Sequence, residues 1–459
     1  MAAGLRATVI LVCAGVLAVV LHMAQVPQVM ARSLPLVVMS IGFWAFAVLP
    51  EALTGLLFML GAVTLAGIAP SVVFSGFTTT AFWLIFSGMI LSACATKSGL
   101  SQWLTARFVG DRFVGAEYGA RIASIVIFAA LLALILPSTL ARVVILVPLI
   151  VALCDRVGYG AHSRGRTGMV LAAAIGTYIV PITFLPANLP NIILAGSLES
   201  LYGIAPSFGS YLALHFPVIG TIKGAALVVI LTVLFREPPD TANRGDAAPP
   251  RDLGGAGARL LAVMVVTLAL WSLDFLHGVP PAWVGLAAAV LCLMPFMKIL
   301  DIKAMPFDTA FLMLLYLAAV LAIGGVMRES GAGELLSRGL VENLPLAESG
   351  NFLRLTLLAG VAMVTGVATT MPVAPAMTAP FFGDIAAITG WSVEAVGMSQ
   401  VLGYATPLLP YQLPPLMLAI AMTGIAMYDA TRVLLILAVV TTPFVLPAAH
   451  LWWQVLGWY

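Results

Sequence analysis

Apolar positions in this chain gather into long blocks separated by short polar clusters, and most blocks approach the roughly 20 residues that cross a bilayer. Predicted spans fall near 7–24, 34–49, 51–68 and 79–96. A longer apolar stretch, 122–154, is interrupted at Pro137-Ser138, and the run 167–203 is interrupted again after Leu185. A span at 209–235 and a polar linker at 236–258 follow. The second half repeats the plan with 259–275, 281–298 and 308–327. Then come 353–388, interrupted around Thr369-Thr370-Met371-Pro372, a broken run at 395–427, and a last span at 431–456. The alternating ten-residue segments of a barrel are not the pattern. The expected fold is an all-α polytopic membrane protein of about 11 transmembrane helices, with two re-entrant hairpins and two broken helices in an inverted repeat.

The interruptions are copies of one another. Leu185-Pro186-Ala187-Asn188-Leu189-Pro190 returns as Leu409-Pro410-Tyr411-Gln412-Leu413-Pro414. Proline removes a backbone donor and breaks helical pairing. In hydrocarbon such a break survives only where protein or a wet cavity surrounds it. Two breaks in corresponding halves point to a transporter's binding site. The correspondence extends further. Lys97-Ser98-Gly99 matches Glu329-Ser330-Gly331, and Pro148 matches Pro380, both 232 residues on, while the Leu-Pro motif recurs after 224.

Composition agrees with this class. Hydrophobic residues make up 62% of the chain and charged residues 9%, against about 25% charged in a soluble domain. Mean hydropathy is +1.10. A net charge of +2 from scattered basic residues gives no nucleic-acid footprint. Cys13, Cys94, Cys154 and Cys292 lack the paired spacing of a disulfide frame or metal knuckle. The apolar run after Arg6 reads as a retained first span rather than a cleaved leader.

Basic residues give orientation, because cytoplasmic loops are enriched in Lys and Arg. Lys97, Arg107, Arg112 and Arg121 precede the 122–154 stretch, and Arg156, Arg164 and Arg166 follow it. The stretch therefore enters and leaves on the cytoplasmic side as a hairpin with its tip at Pro137-Ser138; two crossing helices are the alternative. The second stretch is flanked by Arg328, Arg338 and Arg354 mixed with Glu329, Glu334, Glu342 and Glu348. After it come Asp384 and Glu394, with no basic residue until Arg432, which favours the outside. The N-terminus is expected in the cytoplasm and the C-terminus outside. The chain divides into scaffold helices 1–118, a first transport half 119–235, a cytoplasmic linker 236–258, scaffold helices 259–350 and a second transport half 351–459.

Several segments resemble the divalent anion–sodium symporter family. Leu49-Pro50-Glu51-Ala52-Leu53-Thr54-Gly55-Leu56-Leu57 is similar to its Pro-x-x-x-Thr-Ala-Leu-Leu segment. Pro137-Ser138-Thr139-Leu140-Ala141-Arg142 resembles its Pro-Ser-Asn-Thr-Ala-Arg hairpin tip. Asn191-Ile192-Ile193-Leu194-Ala195-Gly196 and Pro407 through Met417 resemble its two broken helices. The resemblance implies a homodimer in a bacterial inner membrane, a sodium-coupled anion substrate and an elevator-like motion. The family's two Ser-Asn-Thr tips read here as Ser138-Thr139-Leu140 and Thr370-Met371-Pro372.

The candidate solute contacts are Ser138, Thr139, Arg142, Asn188, Thr370 and Gln412. Candidate ion ligands are Ser138, Asn188, Asn191, Thr369, Thr370 and Thr406, since a helix break offers carbonyls to a cation and these side chains complete the set. The bland reading is that they satisfy broken backbone. Arginine's fork suits a carboxylate, sulfonate or phosphate, which marks Arg142. Lys223, in mid-span, is expected to contact a helix break or snorkel, with pairing to a buried carboxylate as the sharper reading. Asp274, Asp308, His22 and His215 are expected at the interfaces, and Trp452, Trp453 and Trp458 as an aromatic belt. The expected function is secondary active transport of a small dicarboxylate-like or sulfate/sulfonate-like anion, driven by sodium or protons. The alternatives are cation–proton antiport or neutral-solute export. An intramembrane enzyme would need catalytic pairs or a zinc motif that the chain does not offer. The partners are then a small-molecule solute, lipid and a second copy, with no cofactor beyond the coupling ion.

Overall fold

The computed structural model describes residues 2–46, 48–108, 115–240, 252–305 and 307–459. The side chains of Arg107, Asp308, Arg338 and Glu342, together with Arg112 and segment 241–251, lie outside what is described. Charge-based orientation through those residues rests on sequence alone.

All the regular structure among the described residues is helical. The first half holds α1 (Ala2–Met23), α2 (Gln28–Ala45), α3 (Glu51–Thr64), α4 (Thr80–Lys97) and α5 (Leu100–Phe108). It continues with α6 (Tyr118–Ile135), α7 (Thr139–Val157), α8 (Arg164–Ile179), α9 (Leu189–Tyr202) and α10 (Phe208–Phe235). The second half holds α11 (Gly255–Ser272), α12 (Pro281–Leu293), α13 (Phe307–Glu329) and α14 (Ala332–Asn343). It ends with α15 (Asn351–Ala368), α16 (Ala374–Thr389), α17 (Val393–Tyr404), α18 (Pro414–Thr423) and α19 (Met427–Leu456). Ten helices among the described residues are long and apolar enough to cross a membrane. Counting α16 and α17, bent by 118° at their junction, as one broken span makes eleven. This is a polytopic helical membrane protein, as the apolar blocks predict.

Boundaries moved where local chemistry decided. The expected span 51–68 ends as helix at Thr64, and the expected 281–298 ends at Leu293, just before Pro295. Helix α10 contains a π turn, Phe216–Gly220, beside Pro217. Both Ser-Gly stops work the same way. Gly99 and Gly331 take positive φ, 76° and 73°, the left-handed geometry that ends a helix cheaply only at glycine.

The halves pack by exchange. α3 lies on α13, and α12 lies on α4. α9 packs against α16, and α18 against α7. Each broken helix therefore seats its second arm on the other half's post-tip helix. Lipid gives little hydrophobic drive between helices, so close packing and interhelical polar contacts carry association. Gly403 shows this: a Cβ there would sit 2.3 Å from the Ala359 carbonyl oxygen and 2.5 Å from the Ala362 Cβ. Glu199 on α9 accepts from the Thr80 amide (2.8 Å) and hydroxyl (2.7 Å), placing a carboxylate at the positive end of α4.

Two residues near the ends of spans are covered by protein. Asp274 accepts from the Phe208 amide at 2.5 Å and caps α10. His215 is 1% exposed, its ring 4.5 Å from that of Tyr211. Trp453 is also buried, inside an aromatic cluster with Trp391, Trp458 and Tyr459 rather than in an interfacial belt. Hydropathy locates spans, but it does not reveal which helix face the tertiary packing covers.

Candidate functional site

Helix α8 stops at Ile179 because Pro181 cannot donate, and the chain resumes as α9 only at Leu189, with Pro190 in its first turn. The break between them leaves carbonyls that no intrahelical amide reaches. Thr177 is the clearest case: its regular partner, four residues on, is Pro181. Arg142 supplies the missing donor. It is 0% exposed, and Nη2 donates to Thr177 O at 2.8 Å and Ala187 O at 2.9 Å. Nη1 donates to Leu136 O (2.6 Å) and Pro137 O (3.0 Å) at the tip between α6 and α7. Further contacts reach the Thr139 hydroxyl (3.0 Å) and Asn188 Oδ1 (3.3 Å). One guanidinium thus ties the first tip to the first break.

The neighbours complete the closure. Thr139 donates to Asn188 Oδ1 at 2.5 Å and approaches Ala187 O at 3.2 Å. Asn188 Nδ2 donates to Tyr178 O at 3.3 Å. Asn191 Nδ2 donates to Ile182 O (2.9 Å) and Phe184 O (3.0 Å), and its Oδ1 is buried without a partner. Ser138 caps α7 by accepting from the Ala141 amide at 3.3 Å, and stays half-buried.

The second break is closed by other means. Gln412 Oε1 accepts from the amides of Leu408 (2.7 Å) and Leu409 (2.8 Å), while its Nε2 is buried and unpartnered. The second tip docks through backbone, the Met371 amide donating to Gln412 O at 3.3 Å. Thr369 donates back into α15, to Thr365 O at 2.7 Å. Thr370 accepts at its carbonyl from the amides of Val373 and Ala374, and its side chain is half-buried. Lys223, 1% exposed on α10, donates to Ala405 O at 2.8 Å and to the Thr406 hydroxyl at 2.5 Å. Thr406 in turn donates to Leu402 O at 2.9 Å, so its oxygen lone pairs face the ammonium. Lys223 contacts a helix break, as one sequence expectation had it. No carboxylate among the described residues pairs with Lys223 or with Arg142.

The structure thus brings Thr139, Arg142 and Asn188 into mutual contact, sets Ser138 beside them, and gathers Thr369, Thr370 and Gln412 at the second tip. Thr406 is taken up by Lys223, and Asn191 Nδ2 by the first break's own carbonyls, with Asn191 Oδ1 left unpartnered. Three tyrosines that sequence reasoning passed over join the two breaks. Tyr178 donates to Tyr404 O at 2.8 Å. Tyr211 donates to Ile182 O at 3.1 Å, and its hydroxyl lies 3.4 Å from that of Tyr404. A signal was present, since Tyr178-Ile179-Val180-Pro181 recurs as Tyr404-Ala405-Thr406-Pro407. Beside Lys223 lies a cavity of about 160 Å³, lined by Thr356, Met363, Thr406 and Thr442 among apolar neighbours.

Sodium is the ion that the family resemblance implies. The donors here do not suit it: four first-break and tip carbonyls already serve a guanidinium, and Ala405 O with Thr406 serves an ammonium.

Comparison with known proteins agrees with this architecture. A family model described as "Citrate transporter" matches residues 41–405. A protein of Cupriavidus necator described as "Membrane protein" is 24% identical over 407 residues, covering 84% of this chain and 76% of its own length. The crystal structure of the YdaH transporter of Alcanivorax borkumensis is similar with a TM-score of 0.57 at 16% identity, over 84% of this chain and 88% of its own. MtrF of Neisseria gonorrhoeae, described with a class of antimetabolite efflux pumps, gives 0.55 at 14% identity over 94% and 95%. Both structural likenesses are likenesses of fold.

Proposed function

This chain belongs to the citrate transporter family, and from that premise we propose that it carries a small anion of dicarboxylate-like or sulfate/sulfonate-like chemistry through an ion-coupled elevator cycle. It is an integral membrane secondary transporter and not an enzyme. The observation that carries the anion reading is electrostatic. Two buried cations, Arg142 and Lys223, stand at the two breaks without a carboxylate among the described residues to neutralise them. Charges at membrane depth are costly, and an anionic solute lowers that cost. A cationic solute would raise it, which weighs against cation–proton antiport.

The groups left for the solute are those the fold has not consumed. Ser138 and Thr370 keep half-buried hydroxyls at the two tips, and Gln412 keeps an unpartnered Nε2. The amino end of α7 adds partial positive charge toward an anion. Thr139, Asn188 and Arg142 then hold the first tip in place for binding, and Thr369 shapes the second. In the proposed cycle the segments 119–235 and 351–459 move together against a scaffold of 1–118 and 259–350 within a homodimer. The α6–α7 and α15–α16 pairs act as re-entrant hairpins. Basic flanks of the first pair support a cytoplasmic N-terminus and an external C-terminus in a bacterial inner membrane.

The test is uptake into proteoliposomes from a panel of citrate, succinate, sulfate, a small alkylsulfonate and a neutral sugar. Saturable uptake of one anion class, competed by its congeners, is the expected result. Transport confined to neutral solutes overturns the anion reading and favours neutral-solute export.

A further inference from the structure

We propose that the protein carries fixed cations of its own at both helix breaks, in the positions a coupling metal ion would need, and that sodium therefore does not bind there. In broken transporter helices the unwound carbonyls are what a coupling cation coordinates. Here those carbonyls are taken. Arg142 holds Leu136 O, Pro137 O, Thr177 O and Ala187 O within 3.0 Å. Lys223 holds Ala405 O at 2.8 Å and the Thr406 oxygen at 2.5 Å. Thr406 spends its proton on Leu402 O, which orients its lone pairs toward the ammonium.

Two further facts separate this from ordinary backbone repair. The cations come from unrelated places: Arg142 lies just after the first tip, whereas the matching position after the second tip, 232 residues on, is Ala374. Lys223 reaches the second break from α10, 182 residues away in sequence. Each break holds a cation from a different place in the chain, although a neutral donor such as the Asn191 amide satisfies the neighbouring carbonyls of Ile182 and Phe184 without a charge. In addition, a second unit positive charge a few ångströms from either head group would meet strong repulsion in a poorly screened interior. The inference rests on the transport reading only for its consequence, which is that sodium drops out as the driving ion.

Thermal unfolding of the purified full-length protein tests the claim without any solute. The wild-type midpoint is expected to be the same in sodium, potassium and choline chloride at equal ionic strength. A saturable, sodium-specific rise in that midpoint overturns the proposal. Lys223→Ala is expected to lower the midpoint, with partial recovery in ethylammonium chloride and none in tetramethylammonium chloride, which has no N–H to donate. A Lys223→Ala protein as stable as wild type, or one rescued equally by both salts, removes Lys223 from the role. Should Lys223→Ala fail to fold, Thr406→Val takes away one of the two acceptors and is expected to give a smaller drop with the wild-type indifference to sodium; a sodium-specific gain there counts against the proposal. If no solute is ever transported, the functional reading fails while these midpoints still decide the cation question.

Discussion

Replacing Arg142 by methionine keeps a long unbranched stem and removes every donor. Four carbonyls, those of Leu136, Pro137, Thr177 and Ala187, then lose a charged partner. A buried polar group left unsatisfied costs about 1–3 kcal/mol. Thr177 O cannot be rescued locally, because Pro181 has no N–H, whereas Ala187 O can take the single Thr139 proton, 3.2 Å away, in exchange for Asn188 Oδ1. Relief from burying a charge offsets part of the loss. With Leu136 O, Pro137 O and Thr177 O left without a donor at about 1–3 kcal/mol each, less that relief, the net figure is about 3–5 kcal/mol. Arg142→Lys keeps the charge, but an ammonium has three donors and no planar fork. It can serve about half of the six present acceptors, so a loss of about 2 kcal/mol is expected. The assay is amide hydrogen exchange across 132–145 and 176–192, alongside thermal unfolding. At about 1.4 kcal/mol per decade, Arg142→Met should raise exchange by local opening roughly 10²–10⁴-fold in both segments together, and Arg142→Lys by roughly tenfold or more. Unchanged exchange in the 176–192 segment of Arg142→Met would refute the reasoning, because the tip and the break would then be held closed independently.

Two other outcomes follow from the packing. Tyr178→Phe removes the hydroxyl that donates to Tyr404 O, and is expected to cost about 1–2 kcal/mol and slow transport without altering solute preference; wild-type stability would show that the tyrosine link between the breaks is idle. Gly403→Ala drives a Cβ into the Ala359 carbonyl and Ala362 Cβ, forcing α15 and α17 apart at about 1–3 kcal/mol, read as a lower unfolding midpoint; a neutral substitution would mean the two helices are not in close contact.

The chain's apolar blocks, its two Leu-Pro breaks, its duplicated Ser-Gly stops and the pairing of each tip with its break were all legible in order along the sequence. These are local properties: hydropathy marks burial in lipid, proline deletes a particular amide, and glycine after a helix permits one backbone geometry. The residue types at the site were legible too. Thr139 and Arg142 of the tip segment meet Asn188 of the separate Leu-Pro segment.

What the sequence left undetermined is which donor each orphaned carbonyl receives. Proline 181 announces that Thr177 O lacks a partner, and Pro217 says the same of Ala213 O. Neither says that Arg142 supplies the first and Trp452 the second, at 2.9 Å and across 239 residues. Lys223 could have snorkelled from its position in α10; only the packing of that helix against the second break turned it inward to Ala405 O. Tyr211 and Tyr404 meet because two halves fold onto each other, not because of any spacing along the chain. A missing hydrogen bond is written into the chain by one residue type, whereas its replacement is chosen through space by whichever side chain the assembled helices bring within about 3 Å.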